Sequence, residues 1–367
     1  MSRTGTGEHC RARIMQMTEE APDEAALQEA GRILSAGGLV AFPTETVYGL
    51  GGNALDPAAA RKIYAAKGRP SDNPLIIHIA SLDALEQIAE EIPDAAIRLA
   101  EAYWPGPLTM IFRKREIVPD ETTGGLDSVA VRFPSNRIAS LLIAYAGGFV
   151  AAPSANTSGR PSPTTAAHVI EDLGGTIDCI IDGGPVDIGL ESTIVDFTVD
   201  PPVILRPGYI NQEMLSAMIG TVEMDPGIQS ESSVVRPKAP GMKYRHYAPK
   251  AEMTIVTGSP QNVAERIRAL AHRQLTAGRR VGIICSDETR GLYPEGTVWS
   301  LGARTEEIQI AAHLYGILRD SDAAGVDVIY SEAFRTPKLG DAIMNRLMKA
   351  AGHRIIDADT HEKDDQI

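Results

Sequence analysis

The hydrophobic pattern of this chain is interrupted by one long stretch that has no periodicity. Residues Thr221–Lys250 contain four prolines and two glycines, and they separate two regions that are each long enough to bury a core. Proline and glycine at this density are typical of an extended connection. A chain of 367 residues also exceeds a single average core. The sequence therefore predicts two domains, over residues 11–220 and 251–357, joined by a linker over residues 221–250.

The first region, up to about Tyr209, consists of short apolar runs separated by proline, glycine and polar residues. Such runs predict strands with irregular connections. The candidate strands are Leu39–Phe42, Leu75–Ile79, Leu108–Phe112, Val129–Phe133, Cys179–Ile181, Thr193–Phe197 and Val203–Leu205. Two helices are clear: Asp23–Ala36, and one that begins at Asp56 with Pro57 in its first turn. We expect an α/β or α+β domain with a mixed sheet.

The second region alternates between strand and helix patterns. The segments are Met253–Thr257, Pro260–Leu275, Arg280–Cys285, Val298–Leu301, Glu306–Leu318, Val326–Tyr330 and Asp341–Ala351. This order predicts a small parallel sheet with helices on its faces. No glycine-rich fingerprint begins the helices that follow these strands, so a dinucleotide site is not indicated there.

Charge and cysteine content limit the classes of function. The net charge of -13 argues against a protein whose whole surface binds nucleic acid, so an RNA partner would need a local basic patch. Cys10, Cys179 and Cys285 lie far apart, without a CxxC pair or a histidine at zinc-ligand spacing. We therefore expect neither a disulfide scaffold nor a protein-bound metal site.

The N-terminal residues and the apolar stretches indicate the compartment. Met1–Glu20 mixes arginines with acidic residues and has no apolar segment of the signal-peptide type. The longest apolar stretch, Leu141–Ala152, is interrupted by two glycines and is too short for a membrane-spanning helix. The expected location is the cytoplasm.

A cationic loop is the first candidate for a phosphate site, because the chain has no P-loop spacing. Lys67 and Arg69 flank Gly68 after the helix that begins at Asp56. Two cations at a helix C-terminus can simply complement the helix dipole. They can also bind phosphate and carboxylate groups, since arginine offers a planar pair of donors and lysine a point charge. Both interpretations remain open at this point.

Polar side chains follow several other predicted strands. Ser154 and Asn156 follow an apolar run, Ser192 enters another strand, and Arg132 and Arg206 end two more. Serine, asparagine and glycine are also ordinary turn residues, and the arginines could be surface ion pairs. His78 could be a satisfied core residue or could line a pocket. Convergence of these loops would give a polar, cationic pocket suited to nucleotidyl transfer, in which aligning reactants and neutralising charge matter most.

The end of the linker is basic. Residues 236–250 contain five lysines or arginines, His246 and two tyrosines, Tyr244 and Tyr247, and no acidic residue. A basic run of this kind is usually a solvated tether. The alternative is a strap that folds over an anionic ligand.

Several motifs occur together in an order and spacing that resemble a known family. They are Pro43–Leu50, Lys67–Pro70, Asn73–Leu75, His78, Trp104–Gly106, Pro153–Asn156 and Leu205–Gly208, with Pro240–Pro249 in the linker and Ala342–Leu347 near the C-terminus. Together they resemble the YrdC-type threonylcarbamoyl-AMP synthases in their long form. The resemblance covers all but the first residues and the acidic tail. It implies a YrdC-like twisted mixed-sheet domain joined by the linker to a smaller Rossmann-like domain.

The resemblance also implies a reaction. Members of this family combine L-threonine, bicarbonate and ATP, with Mg²⁺ accompanying the nucleotide, to give threonylcarbamoyl-AMP and pyrophosphate. A downstream transferase complex then modifies adenosine next to the anticodon of tRNAs that read ANN codons. In such a family the linker crosses the mouth of the active site. Direct contact with tRNA and the oligomeric state stay open.

Site residues follow by position. The residues matched to threonine binding are Thr46, His78, Arg132, Ala152 and Ser192. Those matched to ATP binding are Arg69, Asn73, Ser128, Ser154, Asn156, Ser162 and Arg206, with Tyr244 or His246 of the linker closing over the nucleotide. Lys67 and Arg69 are matched to the catalytic positions, and no protein ligand is assigned to the metal.

Two other functions compete with this one. An RNA-binding or ribosome-assembly module would use a basic concave surface without chemistry, but the net acidity and the missing RNA-recognition motifs weigh against it. A carbamoyl-phosphate-using maturation enzyme can share the first domain. The chain has neither the extra cysteines nor the length expected of that enzyme.

Overall fold

The computed structural model describes residues 12–228, 238 and 247–360. The chain divides into two compact units, Met1–Ser158 with Ser162–Tyr244, and Gly159–Pro161 with Arg245–Ile367. Each unit is described separately below. Tyr244 and His246 lie outside the described residues, so their predicted role at the nucleotide stays a prediction.

The first unit combines short strands with helices of one to three turns. Its strands are β1 (Arg13–Gln16), β2 (Val40–Phe42), β3 (Gly49–Asn53), β4 (Ile76–His78), β5 (Ala89–Glu90), β6 (Leu108–Lys114), β7 (Ser128–Arg132), β8 (Val150–Ala151), β9 (Cys179–Asp182), β10 (Thr193–Asp196), β11 (Val203–Arg206) and β12 (Glu223–Met224). Its helices are α1 (Glu24–Ser35), α2 (Pro57–Lys67), α3 (Leu85–Ile88), α4 (Asp94–Tyr103), α5 (Asp120–Thr123), α6 (Arg137–Tyr145), α7 (Ala166–Leu173) and α8 (Gln212–Ile219).

Local sequence explains the two helices that the pattern predicts. Asp23 caps α1 by accepting a hydrogen bond from the Ala26 amide, and Asp56 caps α2 through the Ala58 amide. Pro57 fits the first turn of α2 because no intrahelical partner is needed there. Gly68 ends α2 in the left-handed region at φ 61°, where a residue without a Cβ is favoured.

The strands of the first unit form one mixed sheet in the order β1-β9-β2-β3-β8-β4-β7-β6-β10-β11-β12, with β5 paired to β6. Parallel pairs such as β4 with β7 alternate with antiparallel pairs such as β7 with β6. Both faces of the central strands are buried: Ile77 and Val131 belong to one apolar cluster, and Ile76 and Ala130 to another. This two-sided burial explains why these strands appear in the sequence as continuous apolar runs.

The pattern did not predict β3, because its sequence Gly-Leu-Gly-Gly-Asn resembles a turn. The structure shows why glycine is needed at Gly51. A Cβ there would lie 2.9 Å from a Phe42 ring carbon, 2.9 Å from a methyl of Val150 and 3.2 Å from the Val40 carbonyl oxygen. Neighbouring strands fill the space that a side chain would take.

The second unit is a five-stranded, wholly parallel sheet in the order β15-β14-β16-β13-β17. Its strands are β13 (Glu252–Thr257), β14 (Val281–Cys285), β15 (Thr297–Ser300), β16 (Val328–Glu332) and β17 (Ile355–Asp357), and its helices are α9 (Pro260–Thr276), α10 (Glu307–Ala324) and α11 (Gly340–Ala350). The expected mixed sheet followed by a smaller parallel sheet is confirmed.

The predicted linker begins inside the first unit's sheet. Residues 223–224 form β12, which pairs with β11. Further along, Lys238 donates a hydrogen bond to Asp196 at 2.9 Å, so this lysine of the basic run is paired. The linker bounds otherwise stay a prediction. In the part of the chain that the structure describes, no helix is both long enough and apolar enough to cross a membrane.

Replacing Gly51 with alanine should destabilise the first unit. Because the added methyl meets packed neighbours at 2.9 Å, overpacking should cost about 1–3 kcal/mol. Trp104 and Trp299 are the two tryptophans, so urea unfolding followed by fluorescence in a Trp299→Phe background reports the first unit through Trp104. Gly175→Ala is the matched control, since a Cβ there meets nothing within 4 Å. Equal stability of the two variants would contradict the packing argument.

Candidate active site

Sheet register places two predicted site residues, His78 and Arg132, beside each other and beside Thr109, which was not predicted. His78 lies opposite Arg132 in the parallel pair of β4 and β7, and Thr109 lies opposite Arg132 in the antiparallel pair of β7 and β6. Side chains two residues apart share a face of a strand. His78, Arg132 and Thr109 therefore occupy the same face as Ile76 and Ala130, at the end of the apolar strip.

Arg132 is held by the loop between β2 and β3. Its Nη1 donates to Thr46 Oγ1 at 2.9 Å, and its Nη2 lies 2.7 Å from Glu45 Oε1. Both charged side chains are buried. Glu45 was not among the predicted site residues, although it lies inside the motif Pro43–Leu50. A buried arginine without a paired carboxylate lowers stability by several kcal/mol. A glutamate in the same motif as Thr46 was therefore a candidate partner for a buried arginine.

The turn that carries Thr46 is fixed by Thr44. Thr44 Oγ1 donates to the Val47 carbonyl at 2.7 Å and accepts from the Thr46 amide at 3.1 Å. It also accepts from the Val47 amide at 3.3 Å, and it lies 2.9 Å from Thr46 Oγ1. Thr46 Oγ1 accepts from Arg132, so the hydrogen bonds of this turn place the Thr46 side chain against the guanidinium.

His78 is buried and uncharged. Its Nδ1 lies 3.2 Å from the Ile76 carbonyl oxygen, and its ring meets Phe42 edge-on at 6.3 Å between centroids. Burial, followed by the nearby positive charge of Arg132, lowers the pKa of His78 to about 3. His78 is thus a buried neutral polar group with a hydrogen-bond partner, beside a permanent cation; its role at a ligand stays a prediction.

Arg206 and Thr109 meet at Ser192. Arg206 Nε donates to the Ser192 carbonyl at 3.0 Å and its Nη2 donates to Ser192 Oγ at 3.1 Å. Ser192 Oγ also lies 2.7 Å from Thr109 Oγ1. All three side chains are buried. Neither arginine is a surface ion pair, so that alternative for Arg132 and Arg206 is wrong.

Lys67 ties α2 to the loop that follows β8. Its Nζ donates to the main-chain carbonyls of Asn156, at 2.5 Å, and Ser154. Arg69 has different partners: it donates to the main-chain carbonyls of Asn73 and Pro74 at 3.1–3.3 Å. None of these carbonyls belongs to α2, which Gly68 caps. The interpretation of the two cations as complements of the helix dipole is therefore not the one the contacts favour.

The loop after β8 carries the remaining polar groups. Ser154 Oγ donates to Asn156 Oδ1 at 2.5 Å, and the Asn156 amide donates to the Thr157 carbonyl at 2.8 Å. Ser154 also forms a bridge with Gly49, next to the loop that holds Arg132. Ala152 packs in the apolar cluster of Phe42 and offers only a methyl group and main chain.

Ser162 and Ser128 occupy different surroundings. Ser162 Oγ donates to Glu191 Oε1 at 2.5 Å, beside Ser192. Ser128 begins β7, four residues before Arg132, which corresponds to roughly 13 Å along a strand. The register of β4 and β7 places Ser128 at the end nearer Pro74, so it does not join the Arg132 group. Its place is with the Asn73 end of the site.

Electrostatics favour an anionic ligand. Lys67, Arg69, Arg132 and Arg206 are at most 9% exposed, and Glu45 and Glu191 are two carboxylates in contact with predicted site residues. Buried cations of this kind suit a polyanion. His78 has little affinity for a proton, so it is poorly suited to act as a general base.

Comparisons with known proteins agree across the chain. A family model described as "Telomere recombination" matches residues 32–208, and one described as "Threonylcarbamoyl-AMP synthase, C-terminal domain" matches residues 210–352. The threonylcarbamoyl-AMP synthase of Pyrococcus abyssi is 51% identical over 94% of this chain and 99% of that protein. The protein of the same name from Bacillus subtilis is 46% identical over 94% of this chain and 98% of its own.

A solved structure matches at the same length. The crystal structure of P. abyssi Sua5 complexed with L-threonine superposes with a TM-score of 0.89 and 50% identity, over 94% of this chain and 99% of that one. The fold and these matches thus define a two-domain α/β enzyme. The chain belongs to the threonylcarbamoyl-AMP synthase family, a family of nucleotidyltransferases, and it contains both domains of the two-domain form.

Stability of the first unit should depend on pH through His78. The folded pKa of about 3 lies below the ordinary value of 6.5, so the unfolded chain binds more protons between these values. The free energy of unfolding should therefore be highest above pH 6.5 and fall as pH decreases toward 3.

Urea unfolding at several pH values, again followed through Trp104, checks this expectation. In His78→Asn the dependence between pH 4 and 6 should be shallower by up to about 1.4 kcal/mol per pH unit. His272→Asn, which replaces an exposed histidine of the second unit, should leave the slope unchanged. Parallel curves for wild type and His78→Asn would show that His78 is protonated in the folded protein.

Proposed function

We propose that this chain makes threonylcarbamoyl-AMP and pyrophosphate from L-threonine, bicarbonate and ATP, for the modification of adenosine next to the anticodon of tRNA. One observation carries the proposal most directly. Arg132 is 4% exposed, and within the described residues its Nε and Nη2 have no partner with hydrogen-bond geometry, although Nη2 is in ion contact with Glu45. A planar edge of two N–H groups matches a carboxylate such as that of threonine.

The threonine subsite proposed here is the group around Arg132. Arg132 binds the carboxylate, and Thr46 and Ser192 offer hydroxyls to the polar atoms of the amino acid. Neutral His78 adds a polar ring without a second charge. Ala152 supplies an apolar wall.

The nucleotide subsite proposed here is the surface made by Arg69, Asn73, Ser128, Ser154, Asn156, Ser162 and Arg206. Asn73 is 1% exposed, and its Oδ1 has no hydrogen-bond partner among the described residues. An acceptor in this position fits an amino or hydroxyl group of the nucleoside, since an unsatisfied buried oxygen is costly. Arg206 reaches both this subsite and Ser192, so ATP and threonine lie side by side.

The reaction proposed here needs positioning and charge stabilisation more than covalent chemistry from the protein. The threonine amine attacks the carbon of bicarbonate, and a C–O bond breaks with loss of water to give a carbamate. A carbamate oxygen then attacks the α-phosphate, and the bond to the bridging oxygen of the β-phosphate breaks, so that pyrophosphate leaves. Arg69 and Arg206 stabilise the negative charge that develops on the phosphate oxygens. Lys67 fixes the loop of Ser154 and Asn156 against α2 and adds positive charge.

Mg²⁺ is proposed to enter with ATP. Small divalent cations bind nucleotides mainly through phosphate oxygens and water. Glu45 is paired with Arg132, and Glu191 accepts a hydrogen bond from Ser162. We assign the ion no protein ligand.

The product is a mixed anhydride, and a downstream transferase complex that acts on tRNA is the proposed consumer. Cytoplasmic location is part of the same proposal, since ATP and tRNA are found there. An RNA-binding module without catalysis accounts less well for four buried cations, because phosphate backbones are bound by exposed lysine and arginine.

Pyrophosphate release from ATP by the purified chain with Mg²⁺ tests the proposal. Release should require both L-threonine and bicarbonate, and chromatography should show a threonylcarbamoyl-adenylate peak. Arg69→Gln should lose this activity at least about a hundredfold while staying folded, because one bidentate cation is lost from the phosphates. Arg61→Gln is the matched control on exposed α2 surface. Pyrophosphate release at the same rate with and without L-threonine would reject the proposed reaction.

A further inference from the structure

Thr109 is a buried residue that neither the sequence motifs nor the proposed mechanism uses. It lies in β6 directly opposite Arg132, and its side chain is fully buried. Its Oγ1 lies 2.7 Å from Ser192 Oγ, and either oxygen could donate. The direction of this one hydrogen bond decides what Ser192 can offer to a ligand.

Arg206 removes one option. A guanidinium can only donate, so the 3.1 Å contact from Arg206 Nη2 occupies one lone pair of Ser192 Oγ. A hydroxyl has two acceptor positions and one hydrogen. Ser192 therefore has one acceptor position and one hydrogen left.

The other option depends on where a ligand can reach. If Ser192 donated to Thr109, the Thr109 hydrogen would need an acceptor of its own, and within residues 12–228, 238 and 247–360 Ser192 is the one hydrogen-bond partner of Thr109 Oγ1. If Thr109 donates instead, the Ser192 hydrogen needs the acceptor, because Ser192 is also buried. A buried donor left unpaired costs about 1–3 kcal/mol. A ligand in the proposed threonine subsite supplies an acceptor to Ser192, so the arrangement with Thr109 as the donor is the one that fits that subsite.

We propose that Thr109 is a positioning residue that makes Ser192 an obligate hydrogen-bond donor in the threonine subsite. With both acceptor positions taken by Arg206 and Thr109, the Ser192 hydroxyl can only donate. An obligate donor beside Arg132 selects an anionic oxygen and rejects a donor group at the same place. The inference rests on the proposed function, since it assigns a hydrogen bond through which the amino-acid substrate is recognised.

The arrangement also links the two subsites. Arg206, proposed to contact ATP, holds the main chain and the hydroxyl of Ser192 together. Thr109 occupies the remaining acceptor position of the same hydroxyl oxygen. The Ser192 oxygen is therefore held in place before substrate binds, which lowers the cost of ordering it on binding.

Thr109→Val tests the inference because it keeps the volume and removes the hydroxyl. The KM for L-threonine should rise about tenfold, the worth of one hydrogen bond, while kcat at saturating threonine and the KM for ATP change by less than about threefold. Thr109→Ser restores the hydroxyl and should restore the KM. In a Ser192→Ala background, Thr109→Val should have no further effect on the KM, since the two residues act as one unit.

Thermal unfolding of each variant separates positioning from folding. A lower melting temperature with an unchanged threonine KM would overturn the inference and leave Thr109 a structural residue. Thr109→Ala, which adds no bulk, serves if the valine variant does not fold, with the same expected KM. Loss of threonine dependence in the wild type would instead reject the proposed substrate, so the two failures are distinguishable.

Discussion

The site depends on how the buried cations are satisfied. Lys67 and Arg69 donate to main-chain carbonyls, Arg206 donates to the carbonyl and hydroxyl of Ser192, and Arg132 is paired with Glu45 and Thr46. Burying a charge without such partners would cost several kcal/mol. Because the contacts of Lys67 and Arg132 join segments far apart in sequence, the partners that make burial tolerable also hold the loops in place. The residues that are to bind the reactants thus also determine the loop structure.

The sheet supplies the second constraint. Parallel pairing of β4 with β7 and antiparallel pairing of β7 with β6 place His78, Arg132 and Thr109 on one face. A slip of one residue would turn all of them to the other face. Two-sided apolar burial of the central strands fixes this register, so core packing and ligand binding are aspects of the same arrangement.

Much of the fold and part of the site could be predicted from the sequence. Capped helices such as α1 and the apolar runs of β4, β6 and β7 carry their signals locally. The strand β3 does not, because glycine at Gly51 is required by close packing against Phe42 of the neighbouring strand and against Val150, which is distant in sequence. For the same reason Glu45 and Thr109 were missed: their partners are Arg132 and Ser192, and only the folded sheet brings these pairs together.

Arg132 is the residue proposed to bind the carboxylate of threonine. Calorimetric titration of L-threonine into the wild type, Arg132→Lys and Arg113→Lys tests this proposal most directly, because Arg113 is an exposed arginine of the neighbouring strand. Lysine replaces the planar pair of donors by a point charge. The account predicts threonine binding weakened about 10- to 100-fold in Arg132→Lys alone, with the affinity for a non-hydrolysable ATP analogue unchanged. Equal threonine affinity in all three proteins would contradict it.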